Sequence, residues 1–118
     1  MSRRWVPALL WLAVIFTATS IPNPDVPAVP GGDKAAHAIM YGVLAALVAR
    51  ALAPMPRARG WLLAAAPALA LTAAADEWHQ RFIPGRSASL GDWIADAAGA
   101  GFVLLVSGAV IGRRESAR

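Results

Sequence analysis

The sequence predicts an all-α integral membrane bundle of four transmembrane helices with cytoplasmic N and C termini. Composition is the first reason. Of 118 residues, 58% are hydrophobic and 15% charged, with mean hydropathy +0.52, and so little polar surface would not keep a soluble monomer of this size in water. The second is length: the apolar residues gather into four stretches, about 5–20, 34–53, 60–78 and 91–112, each near the roughly 20 residues that cross a bilayer core about 30 Å thick. The third is period. Nothing alternates with period two and alanine dominates, which excludes strands.

The first stretch, Trp5 to Ser20, is the shortest, and Pro7 falls in its first turn, where proline is tolerated. Arg3 and Arg4 before an apolar run ending in Ala18, Thr19 and Ser20 also fit a secretory signal with a cleavage site. That reading would leave three spans. Ile21 to Gly32 carries Pro22, Pro24, Pro27 and Pro30 followed by two glycines, a segment that cannot sustain a helix and should run extended along the membrane surface. The second span, Lys34 to Ala53, meets the third through a short turn holding Pro54, Pro56, Arg57 and Arg59, so the two are antiparallel neighbours. Pro67 predicts a kink in the third span. That span ends in Asp76, Glu77, Trp78, His79, Gln80, Arg81, Phe82, Ile83, Pro84, Gly85, Arg86. Acids beside a membrane span demand a partner, water or a function, since a charge at the bilayer centre costs roughly 2.5 to 3.5 kcal/mol on insertion scales. The fourth span, Gly91 to Gly112, follows Ser89, Leu90, Gly91, Asp92, which fits a capping box.

Charge sets the orientation. One side carries Arg3, Arg4, Arg50, Arg57, Arg59, Arg113, Arg114 and Arg118 against Glu115, a net of 8 − 1 = +7. The other carries Lys34, Arg81 and Arg86 against Asp25, Asp33, Asp76, Glu77, Asp92 and Asp96, a net of 3 − 6 = −3. The positive-inside bias puts both termini in the cytoplasm and the acidic side outside, in a multi-pass protein of the plasma membrane. Trp5 and Trp61 then lie near the inner boundary, and Trp78 and Trp93 near the outer. The arginines flank apolar spans and form no basic stripe, so no nucleic acid partner is expected.

Alternating directions bring the end of the first span, the start of the second, the end of the third and the start of the fourth to one face. All the unusual polar residues lie there. Asp33, His37 and Tyr41 share a helix stripe at i, i+4, i+8, as Asp92 with Asp96 and Asp76 with Gln80 do at i, i+4. Each has a structural reading too. Asp33 serves as an N-cap after Gly31 and Gly32, Asp92 completes the capping box, and His37 is a hydrogen-bonded bundle residue. Asp96 lies about a turn inside its helix, where capping is impossible. Asp76 and Glu77 near a helix C-terminus call for facing cations, with Lys34, Arg81 and Arg86 to hand. His79 reads as interfacial. The small-xxx-small sets Ala38, Gly42, Ala46 and Ala95, Gly99, with Ala97, Gly101 and Gly108, Gly112, read as helix contacts. A faint echo aligns Gly32, Asp33, Ala36, His37, Ala38 with Gly91, Asp92, Ala95, Asp96, Ala97, a pattern that chance in an alanine-rich chain also produces.

Lys34, His37 and Tyr41, then Asp76, Glu77, Gln80, Phe82, Pro84, Gly85 and Arg86, then Asp92 with Gly99, resemble the ordered signature of the VanZ-like family of small bacterial integral membrane proteins. The resemblance covers about 33–101, within a single domain expected over 1–118. One position departs from the family's pattern, which commonly has asparagine where this chain has Asp96. The resemblance implies a role in the cell envelope, the family being named for a member linked to low-level resistance to the glycopeptide teicoplanin, and it attaches no reaction.

Three functions are weighed. The preferred one is a non-enzymatic protein that binds a lipid or wall-linked ligand at an outer-face site built from Asp33, Lys34, His37, Tyr41, Asp76, Glu77, Gln80, Arg86, Asp92 and Asp96. The second is an enzyme on a lipid-linked substrate, with Asp76 or Glu77 as base, His37 as acid and Lys34 or Arg86 on a phosphate. The third is a proton-coupled carrier with Asp96, His37 and Tyr41 as relay. Asp33, His37, Asp76 and Glu77 include metal-ligating types, but there is no cysteine and no H-E-x-x-H spacing, so neither metal nor cofactor is expected. Nothing in the sequence specifies an oligomeric state.

Overall fold

The computed structural model describes residues 2–22, 32–86 and 89–118. Every regular element among them is helical: a 3-10 turn at Arg3–Trp5, then α1 (Val6–Ser20), α2 (Gly32–Leu52), α3 (Ala58–Gln80) and α4 (Leu90–Ser116). Residues 23–31 of the extended segment expected over 21–32 lie outside the described residues.

Three of the four helices, α2, α3 and α4, are long and apolar enough to cross a membrane. The 15 residues of α1 reach about 22 Å at 1.5 Å per residue, less than a hydrocarbon core about 30 Å thick. Large apolar side chains face outward all along the bundle. Leu10, Ile39, Leu63, Leu71, Phe102 and Leu105 are all exposed, which suits a lipid surround and no aqueous one.

Each helix buries one stripe. On α3 it runs Ala58, Leu62, Ala65, Leu69, Ala73, Asp76, Gln80, and on α4 Asp92, Asp96, Ala100, Leu104, Ile111, steps of three, four and seven that keep one face inward. The lower part of both stripes is apolar and the upper part polar. α2 and α4 make the most extensive contact, and Gly99 decides how close they come. A Cβ at that position would overlap the Ala38 carbonyl and stand 2.8 Å from the Ala38 Cα, while one at Gly42 would meet Gly99 and Val103 at ordinary contact distance. Of the small residues expected to mediate packing, Gly42 and Gly99 sit at this crossing, whereas a Cβ at Gly101 would meet nothing.

The turns follow their residues. Between α2 and α3, Arg57 takes a left-handed conformation (φ 57°) that turns the chain into α3. That helix runs unbroken through Pro67 and continues through Gln80, two residues past the apolar run. Beyond it, the Arg86 N–H donates to the Ile83 carbonyl at 3.1 Å across Pro84 and Gly85, and Gly85 has φ 75°. Proline followed by a glycine with positive φ is the pairing a type II turn requires. The turn aims Arg86 at α1, where its guanidinium donates to the carbonyls of Ile21 (2.7 Å) and Ala18 (3.1 Å) and closes the end of that helix.

Candidate functional site

Contacts between helix ends confirm the alternating directions: the end of α1 meets the end of α3 through Thr19 and Asp76, and the start of α2 meets the start of α4 through Lys34 and Asp92. The polar halves of the four stripes therefore converge at one end of the bundle. Tyr41, Asp76 and Asp96 are fully enclosed there, and His37, Glu77, Gln80 and Asp92 are buried beside them.

Two hydrogen-bonded groups divide the centre. In the first, Asp76 is the acceptor. The Thr19 hydroxyl donates to its Oδ1 at 2.7 Å, and the Tyr41 hydroxyl and Gln80 amide approach its Oδ2 at 3.5 Å. In the second, His37 Nδ1 lies 2.8 Å from Asp96 Oδ1 and 3.9 Å from Glu77 Oε1. Gln80 joins the groups, its amide also standing 3.4 Å from Glu77 Oε1.

Glu77 has a second task. Its Oε2 accepts the Ser89 backbone N–H at 3.2 Å, while the Ser89 hydroxyl accepts the Asp92 N–H at 3.0 Å. The capping box at the start of α4 is thus half local and half tertiary: Ser89 caps as expected, but the reciprocal acceptor comes from α3. Asp92 is thereby left for Lys34, whose Nζ lies 2.5 Å from its Oδ1.

The expectation that cations face Asp76 and Glu77 is corrected. Among the described residues no lysine or arginine pairs with either; Lys34 pairs with Asp92 and Asp33, and Arg86 is spent on the α1 carbonyls. Neutral donors from α1, α2 and the α4 cap take the place of cations, because the bundle presents hydroxyl, amide and N–H groups at the depth of the acids. Asp33 is likewise outside the centre: it lies in the first turn of α2 with its side chain 68% exposed, touching Lys34 at 3.5 Å. The relay proposed through Asp96, His37 and Tyr41 is discontinuous, since the Tyr41 hydroxyl turns to Asp76.

The family model described as VanZ/LLP1 matches residues 4–110, which takes in α1, α2, α3 and most of α4. The chain belongs to the VanZ/LLP1 family. No curated protein and no solved structure matches it.

Within this VanZ/LLP1 chain, several site residues carry no signal in the linear pattern. Thr19 reads as part of a cleavage-like tripeptide, yet its hydroxyl is the nearest partner of Asp76; its place at the end of the first span, on the face where the other polar residues gather, was the available clue. Ser20 lies 2.9 Å from His79 Nε2, and the His79 ring packs near Phe16, tying the ends of α1 and α3. Trp11 donates to the Met40 carbonyl at 2.8 Å and Trp93 to the Ala70 carbonyl at 3.0 Å, tying α1 to α2 and α4 to α3.

Sequence reasoning also passed over Arg81 as part of a binding surface. A groove of about 400 Å³ opens between α3 and α4, with Glu77 and Ser89 along it and Trp78, Arg81 and Trp93 around it. Glu77 therefore belongs both to the groove and to the buried centre. Arg81 is exposed and forms no ion pair among the described residues. For metals, the ligand atoms of His37, Glu77 and Asp96 all lie within 4.8 Å of one another, a trio drawn from three helices and different from the set considered on sequence.

Proposed function

We propose that this VanZ-type membrane protein is a four-span, multi-pass protein of the plasma membrane with both termini in the cytoplasm, and that it binds the polar head of a lipid or wall-linked ligand at its outer face. The charge asymmetry of +7 against −3 supports the orientation. With the 3-10 turn ahead of it, α1 begins to approach a span in length, and its bonds to Asp76 and Arg86 argue against its removal as a signal.

The groove between α3 and α4 carries the binding reading. Its chemistry is graded from an exposed guanidinium at Arg81, through indole and backbone at Trp78, Trp93 and Ser89, to the Glu77 carboxylate. Arginine offers five donors in a planar fork suited to phosphate or carboxylate, and indoles favour the headgroup level of a membrane. An amphiphile with an anionic head and hydroxyl or amide groups matches that order, and an envelope role of the kind the family's name suggests, including altered glycopeptide susceptibility, would follow from holding such a molecule.

Lipid mass spectrometry of the purified protein tests it. A co-purifying anionic envelope lipid is expected, reduced at least fivefold by Arg81→Ala. Equal lipid content in wild type and variant would overturn the groove as the site. A second reading, acid–base chemistry on a lipid-linked substrate, is favoured by the buried His37–Asp96 pair behind Glu77. It requires that Glu77→Gln and His37→Ala abolish turnover while protein levels hold.

A further inference from the structure

We infer that His37, Glu77 and Asp96 form a binding site for one divalent first-row metal ion, such as Zn²⁺ or Mn²⁺, at the junction of α2, α3 and α4. Three observations carry it. The first is spacing. Ligand atoms sharing an ion at metal–ligand distances of about 2.0 to 2.2 Å stand roughly 3 to 4 Å from one another; His37 Nδ1 lies 2.8 Å from Asp96 Oδ1 and 3.9 Å from Glu77 Oε1. All three ligand atoms lie within 4.8 Å of one another, and an ion would take the place of the proton between His37 and Asp96.

The second is an unmet demand at Asp96. Its side chain is wholly buried, and its Oδ2 has no hydrogen-bond partner among the described residues. Asp76, by contrast, has Thr19, Tyr41 and Gln80 around it, and Glu77 has the Ser89 N–H and Gln80. A buried carboxylate oxygen left without a donor is costly, and a cation satisfies it where a hydrogen-bond donor does not reach.

The third is charge. Asp76, Glu77 and Asp96 stand together in the interior, and no lysine or arginine pairs with any of them among the described residues. A divalent ion held by neutral imidazole offsets most of that charge. Imidazole with two carboxylates suits zinc, manganese or iron, and three protein ligands leave further positions open. Glu77 already has outer contacts of the kind that orient a metal ligand, since its oxygen turned away from His37 is held by the Ser89 N–H and the other is touched by Gln80. No local motif announces the site because each helix supplies one ligand. The inference is independent of the lipid reading, and its test contains no lipid ligand.

The test uses the full chain in detergent, stripped with a chelator and then titrated with Zn²⁺, Mn²⁺ or Co²⁺ alone. One ion per chain is expected, with affinity falling at least tenfold in Asp96→Asn and in Glu77→Gln and unchanged in Asp33→Asn. Less than half an ion per chain in the wild type, or wild-type affinity retained in both site variants, would overturn it. Because those variants risk misfolding, a second measurement uses His79→Ala, which leaves His37 as the one histidine of the two in the chain. A shift of its imidazole NMR signals saturating at one equivalent of Zn²⁺ supports the site, and unmoved signals refute it.

Discussion

Replacing Thr19 with valine removes a single hydroxyl from the buried centre and keeps the β-branched shape. What it should cost follows from the partners that Asp76 retains. The Thr19 contact is 2.7 Å, whereas the Tyr41 and Gln80 contacts are both 3.5 Å, at the outer limit of a hydrogen bond. Thr19 therefore supplies the strongest of the three. Hydrogen bonds to charged groups contribute about 1.5 to 3 kcal/mol in water-soluble proteins, while interhelical bonds in membranes average about 0.6 and reach about 1.7 kcal/mol. For a wholly buried carboxylate we expect the upper part of the membrane range, about 1 to 1.7 kcal/mol, or roughly a 5- to 20-fold change in the unfolding equilibrium. Reversible unfolding in mixed micelles measures it. Thr19→Ser should recover most of the loss, and a double-mutant cycle with Asp76→Asn should show coupling of about 1 kcal/mol. Thr19→Val within about 0.3 kcal/mol of wild type, or a strictly additive cycle, would refute both the contact and the place of α1 in the site.

Gly99→Ala should destabilise the bundle by about 1 to 3 kcal/mol, because the added methyl runs into α2 backbone that cannot move aside like a side chain. Gly60→Ala meets nothing and sits in the first turn of α3, so the same unfolding measurement should find it neutral or stabilising by up to about 1 kcal/mol. For the orientation, cysteine introduced at exposed Phe82 should react with an impermeant thiol reagent on intact cells and one at exposed Ala53 should not, with no native cysteine to interfere; the reverse pattern would invert the topology.

Much of this architecture was legible in the chain because apolar length and helix alternation are properties of the linear pattern. The stripes Asp33, His37, Tyr41 and Asp92, Asp96 were placed at one end by direction alone, and His37, Tyr41 and Asp96 do meet Asp76 and Glu77 there. Asp33 failed to join because the stripe rule fixes angle and not depth: a turn above His37, at the helix start, it is already at the surface. Partner choice was less legible. Lys34 touches its chain neighbour Asp33, but Glu77 takes the N–H that Asp92 would have accepted, and this frees Asp92 to pair with Lys34. A swap of that kind depends on three helices at once, and no window on one helix contains it.

The same swap explains why the acids of α3 have different fates. Asp76 faces α1 and α2, where hydroxyl groups at Thr19 and Tyr41 complete its shell, so its interactions are those of a structural carboxylate. Glu77, one residue on, is rotated by about 100° around the helix, toward the start of α4, and there it touches the groove, the α4 cap and His37 together. Adjacent acids at the end of an apolar run thus divide the work: one holds the helices together, and the other connects the buried centre to the surface. Glu77→Gln keeps the size and the acceptor for Ser89 while removing the charge, so it separates these roles where Asp76→Asn does not. If Glu77 acted only as a cap, the amide would serve nearly as well. A loss of lipid or metal binding in a normally folded Glu77→Gln protein therefore assigns the function to its charge.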